Sequence, residues 1–86
     1  PFDVYILRFR EGQEIPPHVD KVDRGEHYRL NIVLKAAECG GEFIGRSPIF
    51  ENRRIKYFRS DISEHAVSRV LKGSRYVLSI GWVKDT

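Results

Sequence analysis

Apolar and polar side chains alternate along short runs of this chain, and glycine, proline or acidic residues interrupt each run before it gains the length of an ordinary helix. A period of two sends successive side chains to opposite faces of an extended strand. Val4–Arg10 sets Tyr5, Leu7 and Phe9 against Ile6, Arg8 and Arg10, and Glu11-Gly12-Gln13 then turns the chain. Pro16-Pro17 disfavours a helix before His18 and leaves His18-Val19-Asp20 extended. Tyr28–Ala36 is rich in Ile, Val and Leu, and Gly40-Gly41 separates it from Glu42–Gly45. Pro48-Ile49-Phe50 adds a brief edge segment, and alternation returns in Arg53–Arg59 and in the longest run, Arg75–Lys84. Many short strands at close spacing predict an all-β barrel or sandwich with few or no helices.

One segment obeys a different local rule. Asp61-Ile62-Ser63-Glu64 has the form of a helix capping box, and Ile62, Ala66, Val67, Val70 and Leu71 follow at helical spacing before Gly73. Local signals alone therefore favour a helix over residues 61–72. The strand alternative is adopted below on other grounds.

Length and composition bound the rest. Eighty-six residues form one domain, 1–86, with a thin core. Hydrophobic residues at 41% supply enough apolar surface to fold. Fifteen Lys and Arg against twelve Asp and Glu leave a formal charge of +3, which permits an acidic partner without indicating nucleic acid. The single cysteine, Cys39, excludes an internal disulfide, and no apolar run is long enough to span a membrane. The expectation is a soluble, cytoplasmic protein. The chain begins at Pro1 without a Met, so an upstream part is expected to have been removed.

The chemistry concentrates in two segments. On a strand His18 and Asp20 share a face while Val19 points away, so the pair can hold one cation. A histidine from a distant segment would complete a two-histidine, one-carboxylate facial triad, which leaves coordination positions open for substrates and typifies non-haem Fe(II) oxygenases. His65 is the leading third ligand. His27 and Asp23 are rivals, but both fall in a polar loop that fixes no geometry.

The surroundings carry a resemblance. Phe9-x-x-Gly12, Pro17-His18-Val19-Asp20, Arg29-Leu30-Asn31-Ile32-Val33-Leu34, Gly40-Gly41, Tyr57-Phe58-x-Ser60-Asp61, His65-x-Val67 and Gly73-Ser74-Arg75-Tyr76-x-x-Ser79-x-x-Trp82 stand in an order similar to that of one family. Through them the chain resembles the prolyl-hydroxylase-like branch of the Fe(II)/2-oxoglutarate oxygenases over nearly its whole length. The resemblance implies a double-stranded β-helix (jelly-roll) barrel, with a strand rather than a helix after His65. It also implies Fe(II) held by His18, Asp20 and His65, with 2-oxoglutarate and O2 as cosubstrates. The expected reaction hydroxylates a C–H bond, on a peptide or amino-acid side chain, and yields succinate. In that family an Arg or Lys nine or ten residues after the distal histidine pairs with the far carboxylate of 2-oxoglutarate, and Arg75 stands ten after His65. A guanidinium suits the role because it binds a carboxylate through two parallel hydrogen bonds and keeps its charge. Ser79, four residues on, shares Arg75's strand face and is expected to donate to the same carboxylate.

The chain also departs from the pattern. Family members often offer tyrosine hydroxyls to the cosubstrate, and the matching positions here are Phe9, Ile15 and Lys35. Lys35 is expected to substitute a cationic contact, with Asn31 on the same face. Other classes share parts of the pattern: a cupin-like metal barrel, which has no need of Arg75 and Ser79, and a small basic barrel binding single-stranded nucleic acid through Tyr28, Phe43, Tyr57 and the cluster Arg46, Arg53, Arg54, Lys56 and Arg59. Such a cluster more often solvates a strand and deters edge pairing. Cys39 has no neighbouring base and reads as a plain thiol.

One consequence concerns the opposite face. If Arg75, Val77 and Ser79 face inward with Asn31 and Lys35, then Tyr76, Leu78, Ile80 and Trp82 face outward with Leu30, Ile32 and Leu34. That outer face is apolar, and relatives cover it with N-terminal helices. A missing N-terminal segment, a homodimer or a partner is expected to cover it here.

Overall fold

A computed structural model describes residues 2–85; Pro1 and Thr86, the ends of the expected 1–86 domain, lie outside the described residues. The described residues contain ten strands and no helix: β1 (Phe2–Phe9), β2 (Ile15–His18), β3 (Glu26–Lys35), β4 (Cys39–Gly40), β5 (Phe43–Gly45), β6 (Phe50–Glu51), β7 (Ile55–Arg59), β8 (His65–Val67), β9 (Val70–Lys72) and β10 (Arg75–Lys84). All pairings are antiparallel. A five-stranded sheet has the order β1-β10-β3-β7-β6, a three-stranded sheet the order β2-β8-β5, and β4 pairs with β9. The protein is thus all-β, built of several antiparallel sheets, and no described helix is long and apolar enough to cross a membrane.

Residues 61–72 form a turn followed by two short strands, β8 and β9, not a helix. The Asp61 carboxylate accepts two hydrogen bonds from Arg59, at 2.8 and 2.7 Å, so it does not cap a following turn of helix. The N–H groups of Ile62 and Ser63 both donate to the Arg59 carbonyl and close a tight turn instead. β8 then lies between β2 and β5 and pairs with both. A helix there would leave both partners with unmatched backbone groups, which outweighs the local capping signal.

The period of two sorts the large sheet into two faces. Asp3, Tyr5, Leu7 and Phe9 of β1 stand opposite Gly81, Ser79, Val77 and Arg75 of β10. On the other side of β10, Asn31 and Val33 of β3 stand opposite Ser79 and Val77. These side chains face the three-stranded sheet. The core is a cluster of Phe9, Val67, Val70 and Val77, flanked by Leu7, Ile15 and Ala37. Val77 is fully buried, which is worth about 2 kcal/mol relative to exposure. Gly41, at φ 64°, lies against that core; a Cβ there would meet Val70 Cγ2 at 2.8 Å.

The register breaks once in the central pairing, between Tyr76 and Val77: Val77 opposes Val33, yet Tyr76 opposes Lys35. Two steps on β3 match one on β10, a β-bulge that reverses the parity of the strand end. Lys35 therefore shares the side of Tyr76 and is exposed, contrary to the inward position expected from strict alternation. The outer face is apolar, as alternation predicts. Phe2, Val4 and Ile6 on it are exposed, Phe2 by 75%, and Trp82 stacks with Tyr28 and Tyr57 at centroid distances of 6.1 and 5.8 Å.

Candidate functional site

The two sheets enclose a cavity of about 380 Å³, a volume suited to a small ligand. His18, Asp20, His65, Arg75, Ser79 and Asn31 all line it; Lys35 does not, because the bulge turns it outward. Phe9 and Ile15, which occupy expected tyrosine positions, also line it.

His18 ends β2 and His65 begins β8, and the two are partners across that pairing. Asp20 follows just beyond β2, where its N–H donates to the Ser60 carbonyl at 2.7 Å. His18 Nε2 lies 3.3 Å from Asp20 Oδ1, and His65 Nε2 lies 3.5 Å from Asp20 Oδ2. One ligand atom from each residue lies within 4.8 Å of the others.

The backs of the imidazoles decide which nitrogen is offered. His18 Nδ1 lies 2.9 Å from the Pro16 carbonyl and His65 Nδ1 lies 2.9 Å from the Ser63 carbonyl. A carbonyl only accepts, so each Nδ1 carries a proton, and in the neutral imidazole Nε2 is then the nitrogen available at the common point beside Asp20. Phe43 and Phe58 pack around His65, with Phe58 4.7 Å from its ring. The turn between β7 and β8 holds this arrangement. Arg59 grips Asp61 with two bonds and donates a third to Glu26 at 3.0 Å, and its guanidinium keeps the Asp61 carboxyl below the ordinary carboxylate range. These are the donor types, spacing and outer hydrogen bonds that fit a divalent transition metal on one face of the ion.

Deeper in the cavity sits a charge without a counter-charge. Arg75 is only 4% exposed, its guanidinium lies 5.4 Å from the Phe9 ring, and it has no ion pair or side-chain hydrogen bond among the described residues. Burial pushes its pKa below the ordinary guanidinium value. Only partly hydrated in the cavity and without a protein partner among the described residues, the guanidinium is placed to take an anion delivered by a ligand.

Ser79 does not face Arg75's charge alone. Its hydroxyl accepts from Arg29 Nη1 at 2.7 Å and donates to Asn31 Oδ1 at 2.6 Å. The proton expected to reach a carboxylate is thus committed, and the Asn31 amide N–H groups are the donors left facing the cavity.

Sequence reasoning missed Arg29 and Asp3 as site residues. Arg29 Nη2 reaches both Asp3 oxygens, at 3.0 and 3.1 Å, across Gly81. A Cβ on Gly81 would come within 2.2 Å of that nitrogen. A glycine inside the β-like run Arg75–Lys84 is the signal that marked this close approach. His27 also lines the cavity, with Nε2 3.4 Å from Arg29 and Nδ1 buried without a partner, but it stands outside the triad; Asp23 is exposed.

The residues of the nucleic-acid alternative do not form one surface. Tyr28 and Tyr57 stack on the outer face, whereas Phe43 packs inside against Phe58 and His65. Arg59 is occupied by Asp61 and Glu26, and Arg54 by the Val33 carbonyl. Comparison of the chain with protein-family models, with curated proteins and with solved structures finds no match.

Proposed function

We propose that this chain is the double-stranded β-helix core of an Fe(II)- and 2-oxoglutarate-dependent dioxygenase that hydroxylates a C–H bond, on a peptide or amino-acid side chain. The reading rests on one observation: two Nε2 atoms and a carboxylate converge in the same cavity as a buried guanidinium that has no counter-charge among the described residues. The jelly-roll assignment is supported by the facing five- and three-stranded antiparallel sheets.

His18, Asp20 and His65 would hold the metal. When bound, Fe(II) with 2-oxoglutarate and O2 supplies an oxidant that places one oxygen atom in the substrate and the other in succinate, with loss of CO2. Everything else falls to the protein. Arg75 binds the far carboxylate of the keto acid by a charge-assisted fork, and Asn31 adds a neutral donor from the neighbouring strand. Phe9, Leu7, Ile15 and Val77 exclude water around the stem between the carboxylates. The carbonyls of Pro16 and Ser63 keep the two imidazoles in the ligand tautomer. Asp3, Arg29 and Tyr5 form the polar wall against which a substrate is positioned. A cupin-like metal barrel has no use for a buried cation at Arg75, and this separates the two readings.

Anaerobic titration with Fe(II) and then 2-oxoglutarate tests the proposal. A metal-to-ligand charge-transfer band is expected, followed on admission of O2 by succinate. Metal binding without either signal refutes the oxygenase reading.

A further inference from the structure

Arg75 forms part of the wall of two cavities. The second, about 350 Å³, shares Arg75 with the first and has Arg53 and Lys56 on the same wall, with Glu42 as the one carboxylate residue lining it. Arg53 is exposed and makes no ion pair among the described residues. Lys56 is largely buried; its Nζ lies 3.3 Å from Glu51 and donates to the Asn52 carbonyl at 2.5 Å. Three cations meet two carboxylates, Glu42 on the wall and Glu51 beside Lys56, and neither Arg53 nor Arg75 has an ion pair among the described residues, which leaves a local excess of positive charge. These three line one cavity instead of being spread along an open strand.

We propose that this second cavity binds a small multivalent oxyanion through Arg53, Lys56 and Arg75. Either cavity's anion neutralises the same guanidinium, and two anions flanking it repel each other. Occupancy of the second cavity therefore weakens anion binding in the first, and the coupling is reciprocal. The coupling rests on the reading of the first cavity as the 2-oxoglutarate site; the oxyanion site does not.

The test begins with the metal-free protein, titrated calorimetrically with inorganic phosphate and separately with succinate at ionic strength fixed by chloride. Saturable binding of one of them is expected, and whichever saturates names the occupant as a phosphate or a dicarboxylate. Arg53→Gln, Lys56→Gln and the double variant should weaken it, the double variant by at least about tenfold, since each removes a charged donor. Arg53→Gln alone, at an exposed position, guards against a folding defect in the others. In the Fe(II)-loaded protein, the saturating anion should raise the apparent Kd for 2-oxoglutarate in the wild type and not in the double variant. No saturable binding beyond that of chloride, or binding that survives the double substitution, overturns the site. Oxyanion binding with the expected variant pattern but no 2-oxoglutarate binding keeps the site and refutes the oxygenase reading instead.

Discussion

Replacing Arg75 with methionine should make the protein more stable and remove its cosubstrate anchor at once. Arg75→Met keeps an unbranched stem of similar bulk in the space beside Phe9 while deleting the charge. A buried ion without a partner costs several kcal/mol even after relaxation. The open cavities on either side admit water and reduce that figure, and the cation–π contact with Phe9 at 5.4 Å returns about 0.5–2 kcal/mol. The net gain for the metal-free, ligand-free protein is therefore about 1 kcal/mol, which for a domain of this size raises Tm by about 4–8 °C. The same substitution deletes a charge-assisted contact worth about 1.5–3 kcal/mol, so the Kd for 2-oxoglutarate should rise about 10- to 100-fold while Fe(II) affinity is unchanged. Thermal unfolding and anaerobic calorimetry of wild type and variant measure both. A variant that melts earlier and binds 2-oxoglutarate as tightly as the wild type would show that the guanidinium is a structural group, and the argument from its missing counter-charge would fall.

Three further outcomes are expected. His18→Ala, Asp20→Ala and His65→Ala should each lower Fe(II) affinity by more than about 100-fold, because loss of a ligand exceeds the effect of losing an outer hydrogen bond; equilibrium metal titration checks this, and wild-type affinity in the His65 variant would remove it from the triad. The Asp61 carboxyl titrates below its ordinary value because Arg59 donates to it, so its contribution to stability is complete above the unfolded value of about 3.9 and is lost as pH falls through the lower folded value. Asp61→Asn should flatten the decline of stability below about pH 4, as read from denaturant midpoints against pH. Finally, Val4→Lys with Ile6→Lys should reduce the fluorescence of an apolar dye bound to the outer face of the large sheet; equal dye binding in wild type and variant would mean that this face is already covered.

Periodicity within a strand is a local property, and what depended on it alone was legible in the chain. The inward set Tyr5, Leu7, Phe9, the inward set Arg75, Val77, Ser79 and the shared side of His18 and Asp20 all follow from a period of two. Gly81 within the run Arg75–Lys84 likewise carried a signal of close approach. Pairing between strands is not local, and there the chain misled or was silent. The bulge between Tyr76 and Val77 depends on two strands at once, and it turned Lys35 outward. Residues 61–72 satisfy helix capping rules, but an isolated helix of that length is marginal in water, and pairing of β8 with strands on both sides, together with Arg59's hold on Asp61, overrides the local signal. Asp3 meets Arg29 only because both strands flank β10. The absence of a partner for Arg75 exists only once every neighbour has been placed: a sequence states which charges are present, and packing alone determines which of them remain uncompensated.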